Sequence, residues 1–556
     1  MRSTSLIRRL AAGASAGALT LGLAACGGGD DDGGEASGES GGTLVFAGSQ
    51  DPVILDGSLV SDGESTRVIN QIFEGLVRSE EGGTEIEPAL AEEWEASPDG
   101  LEWTFHLRDG VTFHDGEPFN AEAVCFNFER WYNFTGVLQS PAVSYYWGTV
   151  MGGFKTNEDP NMVQSLYTGC EATDEQTAVI TLSKPSSAFI SALAMPAFTI
   201  ASPKALTDYQ ADAVSGTGEA PSFDGTFGYE HPVGTGPFQF ESWERGSQVT
   251  LTRYDDYWEE PAKVDELIFT VIPDGPARRQ ALEAGDVDGY DLVDPADVGA
   301  LEEAGFQIQF RPAFNTAYIG FQQTVAPLGN LKIRQAIAHA IDFDNLIRTN
   351  YPEGTERANQ FLPPELFGHA DEVTEYDYDP DLARQLIAES GETNLTIPFW
   401  YPTDVSRPYM PNPQANWELI KADLEAVGFT IEEHSAPWNP DYLDGYQTGQ
   451  YAMYLIGWNG DFGDPDNFLG TFFQQLNPQF GNVDYPELRA KLDEAEAETD
   501  EASRTELYQE ASQMVQDLLP VIPYVHSEPA IAFREGVTGF VPDPLQNESF
   551  ATVTVE

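Results

Sequence analysis

Apolar and polar positions alternate along Leu101-Glu-Trp-Thr-Phe-His-Leu-Arg108, with Leu101, Trp103, Phe105 and Leu107 on one side. A period of two predicts a half-buried strand, turned by Asp109-Gly110 and continued by Val111 and Phe113. Elsewhere the period is close to 3.6. In Gln414 to Val427 the apolar Trp417, Ile420, Leu424 and Val427 recur every three or four positions. That predicts an amphipathic helix ended by Gly428, with a strand starting at Phe429-Thr-Ile431. Asn120 to Trp131 reads as a helix, and so does the acidic stretch Ala490 to Asp517. Asp379-Pro380 supplies the cap and first turn of another, closed by Gly391. Thr43-Leu-Val-Phe-Ala-Gly48 predicts a first strand, and Leu395 to Tyr401 and Tyr451 to Ile456 predict two more. Helical and strand signals alternate throughout, which predicts an α/β architecture without internal repeats.

Pro and Gly cluster in Ala211 to Gly236, which reads as a loop-rich crossing between lobes. The apolar text before it (Ala188 to Ile200) and after it (Val249 to Leu251, Leu267 to Val271) predicts core strands on either side.

The N-terminus has a different pattern. Arg2, Arg8 and Arg9 precede an Ala-rich apolar run, Leu10 to Ala25, which reads as a signal peptide over residues 1–25. Leu23-Ala-Ala-Cys26 resembles a bacterial lipobox, in which the cysteine is lipidated and becomes the new N-terminus. The run is too short for a comfortable membrane span. Gly27 to Gly42 is GGGDDDGGEASGESGG, too poor in apolar residues to fold. As a flexible tether its length spans roughly 22 Å r.m.s.. The folded body is expected to begin near Thr43. Removing residues 1–42 from 556 leaves 514, more than one ordinary core holds, so two or three lobes are expected.

The formal net charge is −64. Such a surface repels nucleic acid and anionic lipid headgroups. It serves either solubility or a preference for cationic ligands, and net charge alone does not choose. Cys125 and Cys170 remain after Cys26; in an exported chain they form a disulfide or stay as two buried thiols. Neither has the CxxC spacing of a redox or zinc site.

Enzyme signatures are absent. Gly13-Ala-Ser15-Ala-Gly17 matches GxSxG but lies in the signal peptide, and there is no GxxxxGK[ST] or HExxH. Gly234-Thr-Gly236 precedes Pro237 and lacks the third glycine of a dinucleotide fingerprint. His106 and His114, flanking a turn, are surface or hydrogen-bonded histidines or, alternatively, metal ligands. Two segments invite a ligand. Gly457-Trp458-Asn-Gly-Asp461-Phe462-Gly-Asp-Pro-Asp-Asn467 follows an apolar strand, and open α/β sheets bind ligands at strand C-termini. A carboxylate there, walled by Trp458 and Phe462, attracts an ammonium group; the alternatives are a solvated acidic turn or a calcium loop, although EF-hand spacing is missing. Val405-Ser-Arg407-Pro-Tyr409-Met-Pro-Asn-Pro413 is a Pro-rich loop in which Arg407 suits a carboxylate or a structural ion pair.

The stretch Phe105-His-Leu-Arg-Asp-Gly-Val-Thr-Phe-His-Asp-Gly-Glu-Pro-Phe-Asn-Ala121 resembles the signature of the peptide/nickel substrate-binding proteins, solute-binding family 5. These are extracytoplasmic receptors of ABC importers. Phe73-Glu-Gly-Leu76, Pro232-Val-Gly-Thr-Gly-Pro-Phe238, Leu282 to Gly289, the segment around Arg334, Ala340-Ile-Asp342, the Asp461 loop and Leu519-Pro-Val-Ile-Pro523 follow in family order. The resemblance covers the chain from about residue 43 to its end.

It implies a three-lobed fold of the type II periplasmic-binding-protein class. Lobe I would be 43–79, 198–308 and 520–556, lobe II 80–197 and lobe III 309–519. Hinge crossings would lie near Gln309 and Leu519, and the cysteine pair within lobe II. In peptide-binding relatives the aspartate matching Asp461 takes the α-ammonium, and the arginine of a Ser-Arg-Pro-Tyr loop, here Arg407, takes the α-carboxylate. Gly457, Trp458 and Tyr409, in the same two motifs, are implied to be ligand-binding residues as well. The resemblance further implies no catalysis, cofactor or metal, and a monomer on the extracytoplasmic face of a Gram-positive or actinobacterial membrane, held there by its lipid and delivering short peptides to an ABC permease. The alternative is the same fold holding a nickel chelate, haem or an oligosaccharide, the last stacked on Trp400, Trp417, Trp438 or Trp458.

Overall fold

A computed structural model describes residues 41–160, 162–218 and 220–556. The signal peptide, Cys26 and nearly all of the tether lie outside the described residues. The first strand starts at Thr43, where the sequence pattern puts it, and ahead of it the Gly41 amide donates to the Lys263 carbonyl at 2.7 Å. No helix among the described residues is long and apolar enough to cross a membrane.

Three sheets organise the molecule. The first is seven-stranded, in the order Phe238–Glu244, Gln248–Arg253, Glu266–Val271, Thr43–Gly48, Gly289–Tyr290, Ala530–Phe533 and Gln307–Phe310. It draws strands from the start, middle and end of the chain, so lobe I is discontinuous. The second is five-stranded: Thr430–Pro437, Thr396–Thr403, Met453–Asn459, Asn315–Phe321 and Val521–Val525. The third is four-stranded and antiparallel, Ala91–Ala96, Glu102–Leu107, Thr177–Leu182 and Tyr167–Asp174. It forms lobe II with the helix Ala121–Tyr132, whose N-cap Asn120 accepts from the Ala123 amide.

Alternation sorts the side chains. On the central strand of the second sheet Met453 and Leu455 enter one core, while Tyr454 and Ile456 enter another on the opposite face. In the first sheet Phe46 joins the core shared with lobe II, and Ala47 faces the helices behind. Cys125, on the lobe II helix, is bonded to Cys170 on the adjoining strand, their Cα atoms 5.2 Å apart.

Several elements depart from the sequence pattern. Ala490 to Asp517 is two helices, Pro486–Ala497 and Glu501–Leu518, because Asp500 turns away to cap the second by accepting from the Ser503 amide. Ala188 to Ile200 is helical, Phe189–Ala192 and Pro196–Phe198, not stranded. It is an apolar run enclosed on all sides, which periodicity cannot assign. Within Ala211 to Gly236 the chain builds a hairpin, Val214–Thr217 with Ala220–Phe223.

The chain passes between the first and second sheets twice, at 311–314 and 526–529. The second passage lies beyond the expected Leu519, because Val521–Val525 pairs with Asn315–Phe321 and so stays in lobe III. The passages run side by side. Asn315 donates to the Ser527 carbonyl at 2.8 Å and accepts from its amide at 3.0 Å, and the Arg311 amide donates to Pro529 at 3.0 Å. The His526 imidazole donates from Nδ1 to the Asn315 carbonyl at 2.7 Å, and burial pushes it down to about 4, so it stays neutral there.

Arg311, 1% exposed, sits at the start of the first passage. It pairs with Asp291 at 2.7 Å and with Glu548, and Arg67 pairs with the other oxygen of Asp291. The two guanidiniums hold Asp291 well below the usual carboxylate range, against the opposing effect of burial. Two cations and two anions from four separate segments thus pin the hinge to lobe I. Replacing one member leaves an uncompensated buried charge, so Arg311→Met is expected to cost about 3–5 kcal/mol in urea-induced unfolding. A loss under about 1 kcal/mol would show that the network contributes nothing net.

Candidate ligand-binding site

The strand Met453–Asn459 runs out into a loop over residues 460–464 that reaches lobes I and II. Two glycines make its course possible. A Cβ on Gly457 would lie 2.3 Å from the Tyr409 ring, and one on Gly460 would lie 2.0 Å from the Phe314 ring. Phe314 ends the first hinge passage, so the loop rests directly on the hinge. Asn467, 1% exposed, organises the loop from within. Its carbonyl oxygen accepts from the Asp461 amide at 2.8 Å and from Trp458 Nε1 at 3.2 Å, and its amide donates to Asp461 Oδ2 at 3.2 Å. Asp464 is gripped by one Arg504 nitrogen, Nη2, at 2.9 Å from both of its oxygens.

Asp461 receives one more hydrogen bond, and it comes from lobe II. Tyr146, on the helix Tyr145–Met151, donates its hydroxyl to Asp461 Oδ1 at 2.9 Å. Among the described residues no lysine, arginine or histidine pairs with Asp461. Burial therefore dominates and pushes its carboxyl up to about 6, with the bonds from Asn467 and Tyr146 pulling the other way.

Arg407 is unusual in the opposite sense. Its backbone closes a turn with Met410, accepting at 2.9 Å and donating at 3.2 Å. Its guanidinium lies over the Trp438 ring, 4.3 Å from the centroid, and its buried Nε has no hydrogen-bond partner. Among the described residues its side chain has neither an ion pair nor a hydrogen bond, in a protein with 91 carboxylates and 27 lysines and arginines. The structural ion pair that so acidic a chain suggests is therefore not formed there. Tyr446 lies in the field of Arg407, and Tyr145 lies in the fields of both Tyr446 and Asp461. A run of tyrosines thus connects the two charged groups.

The other expected residues divide. Trp458 is half-buried beside the loop, edge-on to Phe472 at 5.2 Å. Tyr409 is 5% exposed and packs against Gly457, so both support the site from behind. Phe462 does not wall the carboxylate; it is buried in the core shared by lobes I and II. Trp417 is core, and Trp400 is covered by Tyr451 at 3.9 Å on one side and by His434 at 4.6 Å, so it does not offer a free sugar-stacking face. His114 bonds to the Gly236 carbonyl at 2.9 Å. Among the described residues no group of three or more His, Cys, Asp or Glu is arranged to hold a metal ion. The residues that sequence reasoning missed are Tyr145, Tyr146 and the organising role of Asn467. Only Asn467 had a local signal, as an Asx residue after Asp-Pro-Asp.

Lobe II is fastened to lobe III around the loop. Lys184 pairs with Glu496 at 2.6 Å, Ser187 donates to the Glu496 carbonyl at 2.9 Å, and a Cβ on Gly463 would lie 2.6 Å from the Thr84 carbonyl oxygen.

Comparison with known proteins agrees with this architecture. Residues 85–480 match the bacterial extracellular solute-binding proteins, family 5, middle region. The chain is 30% identical to the dipeptide-binding protein of Escherichia coli K12, covering 92% of this chain and 95% of that one. It is 32% identical to heme-binding protein A of Haemophilus influenzae, over 94% of each. Among solved structures it resembles HbpA2 of Haemophilus parasuis (TM-score 0.77, 30% identity, 93% of this chain and 100% of that one). It also resembles DppA of Helicobacter pylori in complex with the peptide STSA (TM-score 0.77, 27% identity, 93% and 99%). A three-lobed α/β body with its loop at the junction of the lobes, matched over most of its length, places this chain in family 5 of the bacterial extracellular solute-binding proteins, the non-enzymatic substrate-binding components of ABC importers.

Proposed function

We propose that this protein is a receptor for short peptides, anchored to the outer face of the membrane through a lipid on Cys26, and that as a monomer it delivers them to an ABC permease. The observation that carries the reading is a pair of unmet charges. Among the described residues Asp461 is a half-buried carboxylate without a cation, and Arg407 is a half-buried guanidinium without an anion. A buried charge is costly until paired. A zwitterionic ligand supplies both partners, its α-ammonium to Asp461 and its α-carboxylate to Arg407. Relatives named for dipeptides and di/tripeptides support the peptide class. Backbone and end recognition with loosely packed side chains lets one site accept many sequences, and no covalent step is needed.

The relative named heme-binding protein A favours a second reading. Haem propionates are anionic. Arg407 would suit one of them, but the Asp461 carboxylate would oppose the ligand instead of holding it. A zwitterion fits both groups.

Calorimetry tests the assignment. Truncating one partner of a buried charge pair costs about 2–5 kcal/mol, so Asp461→Ala should weaken a free-amine dipeptide roughly 30- to 1,000-fold. N-acetylation should remove most of the wild-type affinity and matter little to the variant. Arg407→Ala should behave likewise toward C-terminally amidated peptide. Equal binding of acetylated and free peptides by the wild type would defeat the reading.

The pH dependence has a definite sign. With its carboxyl pushed up to about 6, Asp461 is ionised above that pH and protonated below it. Peptide affinity should be level between pH 7 and 8 and fall by up to about tenfold per unit below pH 6. Affinity that rises on acidification would contradict the role of Asp461.

For the anchor, Cys26→Ser should appear in the medium or accumulate as uncleaved precursor in fractionated cells. Normal membrane retention of that variant would rule the lipid out.

A further inference from the structure

We infer that Tyr146 of lobe II is a positioning residue for the ligand's ammonium group: its hydroxyl holds the Asp461 carboxylate ionised and oriented across the junction of lobes II and III. This rests on the reading that Asp461 receives the ammonium, and it assigns a role to a residue on the opposite lobe.

Tyr146 and Asp461 are 315 positions apart in the chain yet 2.9 Å apart in space. The donor is held firmly. Trp147, next along the helix, is buried and donates its indole N–H to the Gly153 carbonyl at 2.9 Å, and the Tyr145 ring meets the Tyr146 ring edge-on at 5.2 Å. Burial and the neighbouring carboxylate push the Tyr146 phenol far above its ordinary range, so it remains a donor wherever the protein is folded.

The acceptor has capacity to spare. An ionised carboxylate offers about four lone-pair sites. Tyr146 occupies one on Oδ1 and Asn467 one on Oδ2, which leaves one on each oxygen for an ammonium group. The groups facing this carboxylate are Tyr145 and Tyr146 from lobe II and Asn467 from its own loop. Tyr146 lies in the field of Asp62, the N-cap of Gly63–Ile72, Tyr145 in that of Tyr446 on Leu443–Gln447, and Tyr446 in that of Arg407. Tyrosines stay neutral here and Asp62 is an acid, so no adjacent cation keeps Asp461 ionised before the ligand arrives. Hydrogen bonds to the charged form must do so. Asn467 is part of the loop, and Tyr146 is the donor that the opposite lobe supplies.

Tyr146→Phe tests this, because it keeps the ring and removes only the donor. One hydrogen bond to a charged group is worth about one pH unit in the acceptor's titration. The pH midpoint for binding a free-amine dipeptide should therefore rise from near 6 to about 7. At pH 6 the variant should bind about fivefold more weakly than wild type, while at pH 8 the two should agree within about twofold. A uniform loss at every pH would mark Tyr146 as a mere structural support and overturn the proposal, as would an unchanged midpoint. The ligand-free titration of Asp461 separates this from the peptide reading. Followed by carboxyl-carbon NMR and assigned with Asp461→Asn, it should move upward in Tyr146→Phe whether or not the ligand proves to be a peptide. If it stays in place, the proposal fails even where peptide binding is confirmed.

Discussion

A half-buried carboxylate with no cation beside it among the described residues is the constraint around which this protein is arranged. Asp461 loses hydration at the junction of lobes and regains only three bonds in return: Tyr146 and Asn467 donating to its side chain, and its own amide held by Asn467. Its rise to about 6 measures the deficit. Other interior acids share the condition. Burial likewise pushes Glu74, Asp466 and Asp543 up to about 7, so the charge at neutral pH is less negative than the formal −64. Glu74 nonetheless has three donors of its own, Trp258, Thr235 and Tyr257. Asp461 is set apart by its place at the lobe junction, and by an unpaired guanidinium on the same lobe. In the proposed reading each charge is met by one end of a zwitterionic peptide.

The rest of the fold keeps that deficit in place. The loop carrying Asp461 lies on Phe314 through Gly460, and Phe314 ends a hinge passage that begins at Arg311. Arg311 is fixed to lobe I by Asp291 and Glu548. The ligand loop and the hinge are therefore packed as neighbours, a few residues apart along one path. On its other side the loop meets lobe II through Tyr146 and Gly463, with Lys184 and Ser187 holding Glu496 nearby. Lys184 is largely exposed, and exposed ion pairs contribute about 0–1 kcal/mol. The other tie between these lobes is the part-buried hydroxyl–carboxylate contact of Tyr146 with Asp461. Movement of lobe II away from lobe III would break it, so the state of the carboxylate and the position of the lobes are linked.

Much of this was legible from residue pattern where the determinants are local. Asn120, Asp379 and Asn412 cap the helices that follow them, and Gly391 and Gly428 end theirs in left-handed conformation. The alternation at Leu101 to Arg108 gives the strand Glu102–Leu107. Patterns failed where burial is uniform or the signal is one residue deep. Ala188 to Ile200 is apolar but for Ser191 and Thr199 and folds as helical turns. The break before Glu501 rests on Asp500 alone, in a segment rich in good helix formers. At the site, Asp461 and Arg407 could be singled out as candidates because each lies in a motif of its own loop. The contact of Tyr146 could not, because its partner is set by how two lobes meet, and the burial of Tyr409 and Phe462 could not, because a loop sequence does not say which side chains turn inward.

The central claim is that the two unmet charges are answered by the two ends of one peptide. Native mass spectrometry of the protein purified without denaturation tests it most directly, because a ligand that satisfies buried charges should survive isolation. The account predicts a ladder of bound masses that fragment as unblocked short peptides and that disappear together in the Asp461→Ala, Arg407→Ala double variant. A single bound mass that fragments as haem, a metal chelate or a sugar, retained by that double variant, would contradict it.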